Sequence, residues 1–300
     1  MWRCGWARDA SRTRRCRAAA SPSTTSQPRP RWRAGCAISW LRCAGSSRAW
    51  FSSVRPTVRP SDVSFLAMKL ILFDIDGTLL WTDGAGRRAI GRALVEEVGT
   101  AGPIDGYRLD GKTDPQIVRE LLGLAGHPAA TDERTIASVC DRYLALLARE
   151  LENPARHTRL FDGVPELLAA LVPHETAGRA LVGLLTGNLE RGAVMKLRSA
   201  GLDPARFAVG AYGSDSGHRP DLPAIAAERA ARRTGRAVAS GDVVIIGDTP
   251  ADVACGRPIG ARTVAVATGS YGVAALRAAG AAHVFATLAD TARVLDAVLE

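Results

Sequence analysis

The sequence lacks any run of about 18 or more apolar residues, so no segment reads as a transmembrane helix. Cysteine is scarce, with six in 300 residues and no Cys-x-x-Cys pair, which argues against a disulfide scaffold and a zinc site. Acidic residues are nearly absent from the first 67 positions: Asp9 and Asp62 stand against 13 Arg and no Lys, a local charge of +11. The remaining 26 basic and 28 acidic residues give residues 68–300 a charge of −2. The overall +9 therefore belongs to the leading segment and says nothing about the partners of the rest.

Other asymmetries fall at the same place. Trp2, Trp6, Trp32, Trp40 and Trp50 precede residue 68, and only Trp81 follows it. Four of the six cysteines also precede it, leaving Cys140 and Cys255 beyond. An Arg- and Ser-rich, acid-poor start has the composition of a transit peptide. Arg interleaved with Trp also suits an anionic surface. The reading adopted is that residues 1–67 form a basic, disordered leader, or precede the true start at Met68, because they show no periodicity. A compact domain begins at Met68, directly before the buried-strand pattern Lys69-Leu70-Ile71-Leu72-Phe73.

What is present beyond residue 67 is an alternation of short apolar runs and helical periodicity, with no internal repeat. Strands are expected at 69–74, 179–185, 242–247, 262–267 and 283–286, and helices at 189–200, 221–234, 250–256 and 287–299. That order implies a parallel sheet covered by helices on both faces, a Rossmann-like α/β fold. Residues 80–165 carry helical patterns at 86–98, 114–124 and 132–151 and no convincing strand. They read as an inserted helical cap, with domains at 68–82 and 160–300 (core) and 83–159 (cap).

In parallel α/β sheets, ligands bind beyond the carboxyl ends of the strands. Here those ends carry Asp74-Ile75-Asp76-Gly77-Thr78, Thr186-Gly187-Asn188 and Gly247-Asp248-Thr249-Pro250-Ala251-Asp252. Four carboxylates at one edge repel each other and stay ionised most readily around a hard, oxygen-seeking cation, with magnesium the obvious candidate. Gly-flanked turns and helix starts supply backbone N–H groups for an anion. A cation, an anion cradle and a spare carboxylate nucleophile together suggest phosphoryl transfer.

These residues resemble the haloacid dehalogenase-like (HAD) superfamily of hydrolases over about residues 68–300. Asp74-x-Asp76-Gly77-Thr78 looks like its first motif, Thr186 its second and Gly247-Asp248-x-x-x-Asp252 its fourth. The cap run Asp110-Gly111-Lys112-Thr113-Asp114-Pro115 is similar to the phosphoglycolate phosphatase-like branch. The resemblance implies a magnesium-dependent phosphatase acting on a small phosphorylated metabolite through an aspartyl-phosphate, with phosphoglycolate one candidate. Asp74 would be the nucleophile and Asp76 the acid and base. Asp74, the Asp76 carbonyl, Asp248 and Asp252 would hold Mg2+. Thr186, Gly187 and Asn188 would bind the phosphoryl group, and Lys112 and Thr113 would reach in from the cap. No membrane association is expected, nucleic acid is not an expected partner, and a cytoplasmic location is.

One position departs from the family pattern. The third motif ordinarily supplies a Lys, and the corresponding stretch is Gly217-His218-Arg219-Pro220-Asp221, which makes Arg219 the candidate cation. Arg keeps the charge but is longer and planar. Other readings stand beside these. Thr249-Pro250-Ala251-Asp252 is also a helix capping box, and Asn188 also suits a helix N-cap. Gly84-Ala85-Gly86-Arg87-Arg88-Ala89 matches a dinucleotide fingerprint, but strand one ends ten residues before it rather than immediately before it. The alternatives to the phosphatase are another HAD-type hydrolase or phosphotransferase using a sugar phosphate or nucleotide, a non-catalytic binder, or an NAD-binding protein. With every motif downstream of residue 67, a chain starting at Met68 is expected to fold and to keep full hydrolytic activity. Insolubility or a large loss of turnover in that truncated protein would overturn the assignment of the leader.

Overall fold

The computed structural model describes residues 68–300. Six parallel strands form one sheet in the order β5-β4-β1-β6-β7-β8. They are β1 (Lys69–Phe73), β4 (Ala180–Thr186), β5 (Val209–Tyr212), β6 (Val243–Gly247), β7 (Arg262–Val266) and β8 (His283–Phe285). β2 (Leu80–Trp81) and β3 (Arg159–Leu160) form a separate antiparallel pair where the chain leaves the core and returns. The helices are α1 (Ala85–Val98), α2 (Asp114–Leu124), α3 (Glu133–Leu151), α4 (Val164–Thr176), α5 (Glu190–Ser199), α6 (Leu222–Thr234), α7 (Pro250–Cys255), α8 (Val273–Ala278) and α9 (Thr291–Leu299). Among the described residues, no helix is long and apolar enough to cross a membrane.

β1 pairs with β4 and β6 along its two edges and has helices over both faces, so its sequence is apolar without alternation. Ile71 and Phe73 join one layer with Leu167 and Leu171 of α4, Leu197 of α5 and Val294 of α9. Leu70 and Leu72 join the other with Leu222 and Ala226 of α6 and Cys255 of α7. Each fully buried Leu, Ile, Val or Phe among them contributes about 1.5–3 kcal/mol. From β1 the chain passes to β4 and β5 on one side, then returns to β6 on the other. That reversal opens the crevice at the carboxyl end of β1.

The expected strands 69–74, 179–185, 242–247, 262–267 and 283–286 each form, within a residue at either end. Several elements differ from the expectation. β5 was not anticipated, because Val209-Gly210-Ala211-Tyr212 is four residues long and interrupted by glycine. α4 carries Pro165 in its first turn and Pro173 near its end, which read as breaks rather than as a helix. α8 is too short for a periodic signal. The last helix starts at Thr291, not 287, where the Asp290 carboxylate accepts the Arg293 N–H. The expectation of no strand within 80–165 fails only at the two-residue strands β2 and β3.

α1, α2 and α3 pack around their own apolar core of Ile90, Leu94, Val118, Leu121, Val139 and Leu147, among others. This cap rests on the loops that follow β4 and β5. Asp114 donates its N–H to the Gly187 carbonyl at 2.8 Å, and its carboxylate accepts the Leu189 N–H at 2.8 Å. Gly187 permits the approach, since a Cβ there would lie 2.0 Å from the Lys112 carbonyl oxygen. Burial raises the Asp114 carboxyl from 3.8 to about 6, against the pull of the Lys196 charge and the Leu189 N–H. The folded state thus holds this proton more tightly than the unfolded chain. Stability therefore falls as pH rises from 3.8 to about 6 and stays lower above that. Asp114→Asn keeps an acceptor for Leu189 and removes the buried charge. It is expected to be more stable than wild type at pH 8, by on the order of 1–3 kcal/mol. The gain should vanish below about pH 4, and thermal unfolding across pH 3.5–8 measures it; an equal effect at both ends would refute the linkage.

Candidate active site

β1 ends at Phe73, and the Asp74 N–H donates to the Ile246 carbonyl at 2.9 Å, which binds the end of β1 to that of β6. Asp74 and Asp248 are thereby neighbours by sheet register rather than by sequence. Asp252 reaches the same place from the first turn of α7. One oxygen from each of Asp74, Asp248 and Asp252 lies within 4.8 Å of the others, and all three residues are buried. Gly77, at φ +84°, turns the chain away above them; a Cβ there would lie 2.3 Å from Asp248 Oδ2. Thr78 Oγ1 donates to Asp248 Oδ1 at 3.0 Å.

Arg219 is buried beside this cluster. Its Nη2 pairs with Asp252 Oδ1 and lies 3.4 Å from Asp74 Oδ1. Burial opposes its charge, but Asp252 and Asp74 outweigh that and raise its pKa. Burial, opposed by Arg219 and reinforced by Asp252 and Asp76, lifts the Asp74 carboxyl to about 7. Burial and the repulsion of Asp252 and Asp74 push Asp248 well up also. One guanidinium thus faces three buried carboxylates, and the surplus negative charge fits a hard divalent cation coordinated by oxygen. Asp252 also makes the capping box: its Oδ2 accepts the Thr249 N–H at 2.9 Å and the Thr249 hydroxyl at 2.7 Å. Asp252 thus caps α7 with Oδ2 while its Oδ1 faces Arg219.

Asp76 projects to the other side of the turn. Its Oδ2 accepts from Asn188 Nδ2 at 2.7 Å and from Lys196 Nζ at 2.6 Å. Asn188 also donates to Thr186 Oγ1 at 2.8 Å and accepts from Lys196 Nζ at 2.6 Å. Asn188 is therefore not the N-cap of α5; Leu189 holds that position, and its N–H is met by Asp114 from the cap. Lys196, buried on α5 eight residues after Asn188, is named by none of the motifs. Its position two turns along the helix that follows Thr186-Gly187-Asn188 is the signal that points to it.

Asp74, Asp76, Thr186, Gly187, Asn188, Lys112, Lys196 and Arg219 line one cavity of about 250 Å³ between core and cap. Asp248 and Asp252 lie beneath its floor rather than in its wall. Thr113, expected to contact substrate, does not line the cavity. Its hydroxyl accepts the Gln116 N–H at 3.2 Å to cap α2 and donates to the Gly217 carbonyl at 2.9 Å. Lys112 Nζ turns from the carboxylate end of the cavity and binds Glu120 Oε2 at 2.5 Å and Tyr107 Oη at 2.6 Å. Gly84 and Gly86 start α1 after the two-residue β2, outside the parallel sheet, so the strand context of a dinucleotide site is missing.

The sequence profile of the haloacid dehalogenase-like hydrolases matches residues 71–257, more than half of the chain. The chain belongs to this family. It is a hydrolase, and its fold is the HAD fold with a helical cap. A hydrolase from Pseudomonas syringae superposes with a TM-score of 0.60 at 21% identity, covering 77% of this chain and 99% of that one. A predicted phosphoglycolate phosphatase from Haemophilus somnus 129pt gives 0.57 at 18%, covering 76% and 97%. A CbbY mutant from Rhodobacter sphaeroides in complex with xylulose-(1,5)bisphosphate gives 0.58 at 20%, covering 75% and 96%. No curated protein matches the sequence significantly.

The HAD framework places a test on Arg219. Removing the cation that faces Asp74 and Asp252 in a water-poor pocket costs far more than on a surface. Arg219→Ala is expected to lower kcat by about a hundredfold or more. Arg219→Lys should retain substantial activity, because Arg219 Nε has no partner among the described residues and only Nη2 meets the carboxylates. Near-wild-type kcat in Arg219→Ala, measured at saturating substrate, would remove Arg219 from the site.

Proposed function

We propose that the chain is a magnesium-dependent phosphatase that hydrolyses a small phosphomonoester through an aspartyl-phosphate on Asp74. The observation that carries this reading is the juxtaposition of Asp74 with Arg219 on one side and with Asp248 and Asp252 beneath it, open to a closed cavity. Asp74, Asp248, Asp252 and the backbone carbonyl of Asp76 would hold Mg2+. The bound cation would neutralise charge on the phosphoryl oxygens and the carboxylates.

Asp74 attacks phosphorus as the bond to the leaving-group oxygen breaks, and Asp76 delivers a proton to that oxygen. Asp76 then takes a proton from the water that attacks the aspartyl-phosphate, which returns Asp74 and releases phosphate. Lys196 and Asn188 both hold Asp76 through Oδ2, which leaves Oδ1 without a protein partner among the described residues. Oδ1 is the oxygen that carries the proton. Thr186 and Asn188, joined to each other, and the backbone at Gly187 orient the phosphoryl group, and Arg219 balances charge at the nucleophile. The cap excludes bulk water and limits the leaving group to a small molecule.

The decisive measurement is turnover of p-nitrophenyl phosphate and of a panel of phosphorylated metabolites with magnesium, ranked by kcat/KM. The panel includes phosphoglycolate, sugar phosphates and nucleoside monophosphates. EDTA is expected to silence the enzyme, and added magnesium to restore it. Asp74→Asn should abolish turnover, since an amide cannot attack phosphorus. Asp76→Asn should cripple turnover while permitting slow phosphorylation of Asp74, and Asp248→Asn should be partly rescued by high magnesium. Near-normal kcat in Asp74→Asn would refute the nucleophile assignment.

A further inference from the structure

The cavity has two chemically different ends. The sheet end holds the carboxylates, Arg219, Thr186 and Asn188, while the cap end is walled by Ile90, Leu109, Ile117 and Tyr143. Tyr143 on α3 is 1% exposed. Its hydroxyl makes no hydrogen bond to any described residue, although the side chain lines the cavity. The hydroxyl therefore faces the cavity without a protein partner, where phenylalanine would fill the same space.

A second observation falls at the same corner. A Cβ at Gly86 would lie 3.7 Å from Tyr143 Oη and 3.5 Å from Lys196 Nζ, so the glycine keeps this corner open. A hydroxyl with no protein partner on the cavity wall, beside a corner left open by a glycine, is placed to meet a group that arrives from the cavity.

The charges around the corner restrict what that group is. Four cations line the cavity, and each is already engaged. Lys112 pairs with Glu120, Lys196 with Asp76, and Arg219 with Asp252 and Asp74. Arg87 donates both terminal nitrogens to the carbonyl oxygens of Ile104 and Tyr107. A carboxylate on the leaving group would meet no unengaged cation there. Burial, with Asp114 and Asp76 nearby, keeps the Tyr143 phenol protonated and thus a neutral donor and acceptor.

We propose that Tyr143 is a specificity-determining residue that hydrogen-bonds a neutral hydroxyl of the leaving group, so that the preferred substrate is a short polyol or sugar phosphate rather than the phosphate of a hydroxy acid. The proposal rests on the phosphatase reading above. Its test compares glycerol 1-phosphate, propyl phosphate (which lacks the hydroxyls) and phosphoglycolate on the full chain with magnesium. Wild type should prefer glycerol 1-phosphate over both others by about tenfold or more in kcat/KM, the scale of one buried hydrogen bond.

Tyr143→Phe should bring glycerol 1-phosphate close to propyl phosphate, chiefly through KM, with Tm unchanged or raised because no protein hydrogen bond is lost. Gly86→Ala, which fills the corner without overlap, should also erode the preference. Wild type without the preference, or Tyr143→Phe retaining it, overturns the proposal. A lower Tm with equal losses on all three substrates would mark Tyr143 as structural and overturn it too. Failure of wild type to turn over these compounds or p-nitrophenyl phosphate would overturn the phosphatase reading and this inference together. Turnover of p-nitrophenyl phosphate without the hydroxyl preference overturns this inference alone.

Discussion

Three carboxylates are held with one oxygen of each within 4.8 Å of the others, in a buried pocket with a single guanidinium to offset them. Much of the site's local structure serves that arrangement. Parallel pairing of β1 with β6 sets Asp74 beside Asp248, and the capping box fixes Asp252 from α7. The left-handed turn at Gly77 clears the space that Asp248 occupies. Thr78 and Thr249 supply hydroxyl donors that a buried carboxylate needs when water is excluded. Burial, reinforced by repulsion between the carboxylates, lifts Asp74 and Asp248 above their ordinary range, which makes the pocket a strong site for positive charge.

A second network runs parallel to the first and joins core to cap. Lys196, Asn188, Asp76 and Thr186 form one connected set, and Asp114 reaches the same loop from the cap to take the Leu189 N–H. Asp74 and Asp76 thus have separate cations, Arg219 for Asp74 and Lys196 for Asp76. Separate partners allow two carboxylates two residues apart to take different roles. The cap meets the core at the loop that carries Asn188, through Asp114 on Gly187 and Leu189, so cap docking and the partner of Asp76 share one loop.

The central strands were legible because burial on both faces demands unbroken apolar runs, as at Lys69–Phe73 and Val243–Gly247. The cap helices were legible for the opposite reason: one apolar face each, written at helical spacing. β5, α4 and α8 were obscured by a glycine, by two prolines and by shortness, features that tertiary packing overrides. In the site, Asp74, Asp76, Thr186, Asn188 and Asp248 announce themselves at strand ends. Thr113 misled because a hydroxyl in a cap loop looks the same whether it faces substrate or closes a helix end. Tyr143 gave no signal, since a tyrosine among apolar residues at helical spacing reads as core.

The sequence by itself determined the alternation of strands and helices, the insertion point of the cap and the family motifs, because each is written in local patterns of apolarity and in fixed short spacings. Only the tertiary structure decided which charges meet. Arg219 facing Asp74 and Asp252, Lys196 on Asp76, and Lys112 drawn off to Glu120 depend on strand order and on how the cap rests on the loops after β4 and β5. These contacts join residues far apart in the chain, and long side chains select among competing partners only when the folded backbone fixes the distances between them.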